Sequence, residues 1–103
     1  MLLTFTENAW EDYQYWQKVD KRMLKKINEL IKAIQRSPFE GIGKPESLKF
    51  DLAGYWSRRI DQEHRIVYRV HDEGILVIDC SYNYYIHFVT NISFHYIHVL
   101  IIN

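Results

Sequence analysis

The fold of this chain is decided by residues 55–82, YWSRRIDQEHRIVYRVHDEGILVIDCSY. Apolar and polar residues alternate through much of this stretch, and a period of two is typical of strands with one buried face. Two short polar segments, residues 61–64 and 71–74, interrupt the alternation as turns. The stretch therefore predicts a β-meander of three antiparallel strands.

The chain before the meander predicts a short strand and two helices. Leu2–Phe5 is strand-like, and Thr6 is a favourable N-cap for a helix over roughly residues 7–17. A second helix follows Asp20, another favourable N-cap, and ends before Pro38. Its apolar residues recur at the helical spacing: Met23, Leu24, Ile27, Leu30, Ile31 and Ile34. The predicted fold class is α+β, with an N-terminal strand, a helical hairpin and an antiparallel β-meander, and with the hairpin on one face of a mostly antiparallel sheet.

The charge of the chain is balanced overall but unevenly distributed. The formal net charge of the 103 residues is zero, yet the stretch from Lys18 to Arg36 holds seven Lys or Arg against two acids, Asp20 and Glu29. A neutral protein with such a basic face can bind phosphates locally. The alternative is an ordinary solvated helix face with scattered charge, and charge alone favours this alternative.

A single cysteine, Cys80, excludes an intrachain disulfide and any metal site that needs two thiolates. It lies in an apolar run, so we expect it to be a small buried residue of a protein from the reducing cytoplasm. The first residues lack the basic and apolar pattern of a signal peptide, and we expect no membrane association. Phosphate-cradling glycine loops and metal motifs are missing as well, so no cofactor or metal is predicted.

Two residues have the types that RNA cleavage by side chains requires. Such cleavage needs a base for the 2′-OH proton, a cation for the phosphorane and an acid for the leaving 5′-oxygen. Glu46 follows Pro45 in a glycine-flanked loop, which favours an exposed carboxylate. Arg59 and Arg65 lie on neighbouring predicted strands across a short turn, so both can reach one face of the sheet. By residue type alone, the favoured interpretation of Glu46 and Arg65 is an ordinary surface glutamate and arginine.

A resemblance changes that balance. Three segments occur in a specific order: Gly43-Lys44-Pro45-Glu46, Trp56-Ser57-Arg58-Arg59-Ile60 and Glu63-His64-Arg65-Ile66-Val67-Tyr68. With further matching stretches from residue 1 to about residue 85, the chain resembles the YoeB branch of the RelE-type toxin superfamily. The resemblance implies a RelE-like, microbial-RNase-like sheet with helices packed on one face. It also implies the toxin of a type II toxin–antitoxin system, a metal-independent endoribonuclease that cleaves mRNA in the ribosomal A site and so inhibits translation.

The resemblance also implies residue roles and partners. Glu46 would be the general base, Arg65 the cation that stabilises the phosphate, and Lys44, Lys49 and Arg59 would lie along the RNA path. The implied partners are a YefM-like antitoxin, the ribosome with its mRNA, and a second copy of the chain in a homodimer.

The end of the matching region departs from the family. The family has a terminal Tyr-His-Tyr-like sequence whose histidine is the general acid, whereas this chain has Asn83 at the histidine position, followed by Tyr84. Asparagine has no titratable proton, and an ordinary tyrosine is a weak acid at neutral pH. Two hypotheses follow: a nuclease weakened at this step, or a catalytically silent homologue that still binds antitoxin and ribosome.

A segment with no Lys, Arg, Asp or Glu, residues 86–103, follows the matching region. We therefore expect a toxin domain over residues 1–85 and an apolar extension over residues 86–103. The extension is predicted to be an appendage outside the functional design. The alternative is an additional strand that pairs with the sheet near Tyr82.

Overall fold

The computed structural model describes residues 2–82 and the backbone of residues 99–102. In these ranges the chain forms two helices, six strands and one 3-10 turn. They are β1 (Leu2–Thr6), α1 (Glu7–Val19), α2 (Lys21–Arg36), β2 (Glu46–Ser47), the 3-10 turn (Phe50–Leu52), β3 (Trp56–Arg59), β4 (Arg65–His71), β5 (Gly74–Tyr82) and β6 (Val99–Ile102). The strands form one sheet in the order β2-β3-β4-β5-β1-β6. The α+β prediction, with its helical hairpin and meander, is confirmed.

Side chains at the predicted caps begin both helices. The hydroxyl of Thr6 accepts a hydrogen bond from the amide of Ala9 at 3.2 Å. The carboxylate of Asp20 accepts hydrogen bonds from the amides of Arg22 and Met23 at 3.0 and 3.2 Å. Asp20 is also the C-cap of α1, which extends to Val19, so one residue joins the two helices. Neither helix of the described chain is long and apolar enough to cross a membrane.

The main core lies between the helices and one face of the sheet. On α2 the buried residues are those of the predicted apolar stripe: Met23, Ile27, Leu30, Ile31 and Ile34. Leu24, which the pattern also assigned to the stripe, is only partly buried. Full burial of one such side chain contributes about 1.5–3 kcal/mol, so this face of α2 is a major source of stability. Cys80 is fully buried in the same core, as predicted.

The sheet is mixed, because β1 pairs in parallel with β5 while every other described pairing is antiparallel. The helical hairpin supplies the first part of the long crossover that a parallel pair requires. Residues 99–102 pair with β1, with Leu3 opposite Ile102. They do not pair near Tyr82 as the strand alternative suggested, because β5 already lies between β4 and β1. The other residues of the extension lie outside the described ranges.

The second face of the sheet carries a smaller apolar cluster made by Leu48, Leu52, Val67, Ile78 and Tyr82. Leu48 and Leu52 belong to the segment between β2 and β3, which folds over this face. The amide of Leu48 bonds to the carbonyl of Tyr55 at 2.9 Å and closes the segment into a loop. The end of β2 is therefore fixed against the sheet.

A buried arginine, Arg58, anchors the loop between α2 and β2. Its side chain is fully buried, and its guanidinium donates hydrogen bonds to the carbonyls of Ser37, Glu40 and Ile42. Its Nε donates to the Tyr68 hydroxyl at 3.2 Å, and that hydroxyl donates to the carbonyl of Pro38 at 2.5 Å. Arg58 makes no ion pair with any carboxylate of the described chain. Since a buried charge is tolerated only when it is hydrogen-bonded, the loop and the arginine depend on each other.

We predict that Arg58→Met destabilises the protein by about 3 kcal/mol, because it leaves several part-buried carbonyl oxygens of the loop without their donors. Urea unfolding followed by circular dichroism measures the loss. The matched control is Arg59→Met, which removes the neighbouring exposed arginine and should change stability by no more than about 0.5 kcal/mol. Equal effects of the two substitutions would contradict the anchoring role of Arg58.

Two carboxyl groups meet where β5 packs on α1. Asp12 accepts a hydrogen bond from the amide of Cys80 at 3.0 Å, and Asp79 accepts one from the amide of Ser81 at 2.7 Å. Burial, together with the nearby charge of Asp12, raises the pKa of Asp79 to about 8. Burial also raises the pKa of Asp12. At neutral pH, Asp79 therefore keeps its proton and donates a hydrogen bond to Asp12.

This pair predicts that stability falls as the pH rises. Between pH 3.8 and about 8, the folded protein holds a proton on Asp79 that the unfolded chain has released. The free energy of unfolding therefore decreases across this window, by on the order of 1 kcal/mol per pH unit where the difference is complete. Asp79→Asn should remove most of the slope and be more stable than the parent at pH 8.5, with a smaller advantage at pH 5.

Thermal unfolding from pH 4.5 to 9 measures this dependence. Asp72→Asn, in the exposed turn between β4 and β5, is the matched control and should keep the parent's slope. A parent whose melting temperature does not change across the window would show that the carboxyl pair does not hold a proton.

Candidate active site

Pairing among three strands brings Glu46, Ser57 and Arg65 together on the second face of the sheet. Glu46 of β2 is the register partner of Ser57 of β3, so their side chains share a face. Nη1 of Arg65 on β4 lies 3.3 Å from Oε2 of Glu46 and 3.0 Å from Oγ of Ser57. The two residues predicted as base and cation are therefore in direct contact.

The members of this group differ in exposure. The side chain of Glu46 is 56% exposed and that of Arg65 is 15% exposed, whereas Ser57 is fully buried. The carboxylate of Glu46 can therefore contact a ligand from solvent, while the guanidinium of Arg65 is fixed by its hydrogen bond to the buried Ser57. Glu46 was predicted in a loop, but it begins the two-residue strand β2, and that pairing orients its side chain.

Ser57 was not predicted as part of the site. It accepts the hydrogen bond that fixes Nη1 of Arg65, so it orients the guanidinium. The signal was present in the alternation of β3, since Ser57 shares a face with Arg59 while Arg58 points to the opposite face. A buried serine beside two arginines is nevertheless common in sheets, and the sequence did not distinguish it.

The three predicted RNA-binding residues, Lys44, Lys49 and Arg59, are all exposed. The backbone of Arg59 is the register partner of Arg65. Lys44 precedes Glu46 by two residues, and it lines one crevice together with Arg59. Lys49 does not line that crevice. It adjoins Phe50, whose side chain is 90% exposed.

The residues predicted at the acid position, Asn83 and Tyr84, lie outside the described ranges. The last residue of β5, Tyr82, is the register partner of Arg65, so these positions follow directly in sequence from a residue paired with the site. His64, next to Arg65 in sequence, contacts the α1 side instead. Its ring centroid lies 5.1 Å from that of Trp16, and its Nδ1 lies 3.1 Å from a carboxylate oxygen of Asp61.

Comparison with known proteins identifies the family of the chain. Residues 5–84 match the family model of the YoeB-like toxin of bacterial type II toxin-antitoxin systems. This chain belongs to the YoeB toxin family. Toxin YoeB of Escherichia coli (strain K12) is 58% identical over 84 residues, which is 82% of this chain and 100% of that protein. The resemblance read from the sequence motifs is confirmed.

Solved structures of YoeB proteins share the fold. A YoeB/ParE toxin from Agrobacterium tumefaciens is 55% identical, with a TM-score of 0.79, and the match covers 82% of this chain and 100% of that one. The YoeB protein of Staphylococcus aureus, 57% identical, has been solved as a dimer and in a heterotetrameric YoeB-YefM toxin-antitoxin complex, with TM-scores of 0.76 and 0.74. Each of these two matches covers 80% of this chain and 95% of the other.

Proposed function

We propose that this type II toxin is a ribosome-dependent endoribonuclease that cleaves mRNA in the A site and so inhibits translation. The observation that carries the proposal is the contact of Arg65 with both Glu46 and Ser57 on an accessible face of the sheet. A carboxylate beside an oriented guanidinium is the pair that 2′-OH activation and phosphorane stabilisation require.

The chemistry follows from this pair. The scissile phosphate binds the guanidinium of Arg65 and competes for it with Glu46, which frees the carboxylate to accept the 2′-OH proton. The 2′-oxygen then forms a bond to phosphorus while the bond to the 5′-oxygen breaks. Arg65 neutralises the charge that develops on the phosphorane, so the reaction is metal-independent. The leaving 5′-oxygen must still take up a proton.

The residue at position 83, Asn83, determines which group can supply the proton to the leaving 5′-oxygen. In this chain an amide occupies the position of the family's histidine, and an amide can donate a hydrogen bond but cannot deliver a proton. General acid catalysis contributes typically 10²–10⁴-fold, so cleavage by this chain is slower by up to that factor. Tyr84, whose hydroxyl can donate a hydrogen bond, follows Asn83 in the sequence. The second candidate function, a silent protein that binds antitoxin and ribosome without cutting, is favoured by this one substitution.

The ribosome requirement is supported by charge. A chain of zero net charge has little non-specific attraction for free RNA. The basic residues of α2, together with Lys44, Lys49 and Arg59, bind RNA phosphates once a large structured RNA positions the protein. We therefore infer that the toxin acts in the cytoplasm, where translating ribosomes are found.

The partners of the S. aureus relative support two further assignments. We infer that a YefM-like antitoxin holds this toxin inactive, and that the toxin forms a homodimer. Because the family model ends at residue 84, residues 1–85 are the proposed toxin domain and residues 86–103 an extension to it.

An in vitro translation reaction with primer extension on the mRNA tests the function. We expect weak A-site cleavage by the parent and an increase of up to 10²–10⁴-fold in the Asn83→His variant, because the histidine supplies the missing acid. Adding Glu46→Gln or Arg65→Gln to Asn83→His should abolish the gain, while melting temperatures show that each variant is folded.

Two outcomes would contradict the proposal. Cleavage by Asn83→His that survives Glu46→Gln would place the base elsewhere. Ribosome binding without cleavage by either the parent or Asn83→His would favour the silent binding protein.

Ser57 is predicted to be a positioning residue for Arg65. In an Asn83→His background, Ser57→Ala should lower kcat by roughly tenfold and leave KM nearly unchanged, because the hydrogen bond orients the cation for the transition state. Single-turnover cleavage on programmed ribosomes measures the two constants. A rise in KM with unchanged kcat would assign Ser57 to binding instead, and an unfolded variant would be detected by its melting curve.

A further inference from the structure

A basic crevice lies where α2, the end of β3 and the loop before β2 meet. Its volume is about 330 Å³, and three cations line it: Lys26, Lys44 and Arg59. The sequence placed Lys44 and Arg59 near RNA, but Lys26 was assigned no role beyond a basic helix face. Lys26 belongs to α2, so the crevice connects the site to the helical layer.

The loop side of the crevice is built tightly. A Cβ at Gly43 would lie 2.7 Å from Cδ2 of Leu30 and 3.1 Å from Cβ of Arg58, so only glycine allows the loop to approach α2 this closely. The carbonyl of Gly43 accepts a hydrogen bond from the amide of Arg59 at 2.6 Å. Lys44 follows in the left-handed region, at a φ of 51°. The lysine and the arginine are therefore held by one short, constrained piece of backbone.

The positive charge of the crevice is only partly compensated within the described chain. Lys26, Lys44 and Arg59 form no ion pair there. The carboxylate that also lines the crevice, Asp61, accepts hydrogen bonds from the amides of Glu63 and His64 at 2.8 and 2.6 Å. Burial would raise the pKa of Asp61, but its hydrogen bonds with His64 and Glu63 outweigh burial and lower it. Asp61 is thus hydrogen-bonded within its own turn, and its single negative charge faces three cations, so the crevice keeps an excess of positive charge.

The crevice is close to the proposed cleavage site along the backbone. Arg59 is the register partner of Arg65, so their Cα atoms are roughly 5 Å apart. Lys44 is separated from Glu46 by Pro45 alone. An RNA strand whose scissile phosphate lay at Arg65 would therefore have a neighbouring phosphate within reach of Arg59.

We propose that this crevice binds the backbone phosphate next to the scissile one on the substrate strand, with Lys26 as a contact. The inference rests on the proposed function, because it takes the cleavage site as the origin of the strand. The ligand is a phosphodiester, held by ammonium and guanidinium groups without reading of the base, so the contact contributes to affinity at every sequence.

Binding to a non-cleavable substrate tests this contact. The mRNA carries a 2′-O-methyl group at the cleavable sugar of the A-site codon and is presented on ribosomes. Lys26→Gln should weaken binding about fivefold and reduce the slope of log K against log salt by about 0.7, the value for one phosphate of a single strand. The matched control, Lys32→Gln, removes an exposed charge of α2 that does not line this crevice and should change neither quantity appreciably.

A neutral methylphosphonate at the neighbouring phosphate locates the contact. It should weaken binding of the parent by at least the factor that Lys26→Gln costs, and it should weaken Lys26→Gln by less than it weakens the parent, because the two changes share the Lys26 contact. A 2′-O-methyl single-stranded RNA at low salt is the second ligand, so the crevice is tested apart from the ribosome.

Three results would overturn the proposal. The first is that Lys32→Gln and Lys26→Gln weaken binding equally. The second is that the Lys26→Gln effect persists on ribosomes without mRNA, which would identify ribosomal RNA as the ligand. The third is that Lys26→Gln changes the affinity for neither of the two ligands. Because none of these measurements involves cleavage, they are independent of whether unmodified mRNA is cut. Failure of the crevice proposal and failure of the proposed nuclease are therefore separate outcomes.

Discussion

The hydrogen bonding of one buried cation, Arg58, is the constraint on which the site depends. A guanidinium without a carboxylate partner is costly to bury, and here the cost is offset by backbone carbonyls of the loop after α2 and by the Tyr68 hydroxyl. The loop in turn is held over this group by these hydrogen bonds. The end of this loop, from Gly43 to Pro45, leads directly into β2, so the position of the Glu46 carboxylate depends on the hydrogen bonding of a charge on the opposite face of the sheet.

The strand that carries Arg58 serves both faces because its side chains alternate. Arg58 points into the helical core, whereas Ser57 and Arg59 point to the second face, where Ser57 meets Arg65 and Arg59 reaches the basic crevice. A shift of one residue in the register of β3 would exchange these roles and bury the wrong arginine. The burial of Arg58 therefore favours the observed register of β3, and this register brings the site residues of three strands together.

Local patterns predicted most of the elements but not their long-range pairing. The caps at Thr6 and Asp20 and the apolar stripe of α2 depend on residues a few positions apart, and they were predicted correctly. The parallel pairing of β1 with β5 joins residues about seventy positions apart, and no local period encodes it. Arginine also usually indicates exposure, so the burial of Arg58 was not predicted. Glu46 and Arg65 were identified through a family resemblance, and Ser57 had no signal strong enough to select it.

The two halves of the proposed site are supported by different interactions. The base and the cation depend on Arg58 and on pairing from β2 to β4. The end of β5, which leads to the acid position, is held by α1, since Trp16 donates to the carbonyl of Cys80 at 3.0 Å and Asp12 accepts from the amide of the same residue. Because these supports share no side chain, we expect a replacement at residue 83 to change the available proton donor and to leave the Glu46–Arg65 contact in place. This separation is the physical reason why a histidine restored at position 83 should find an intact base and cation already in place.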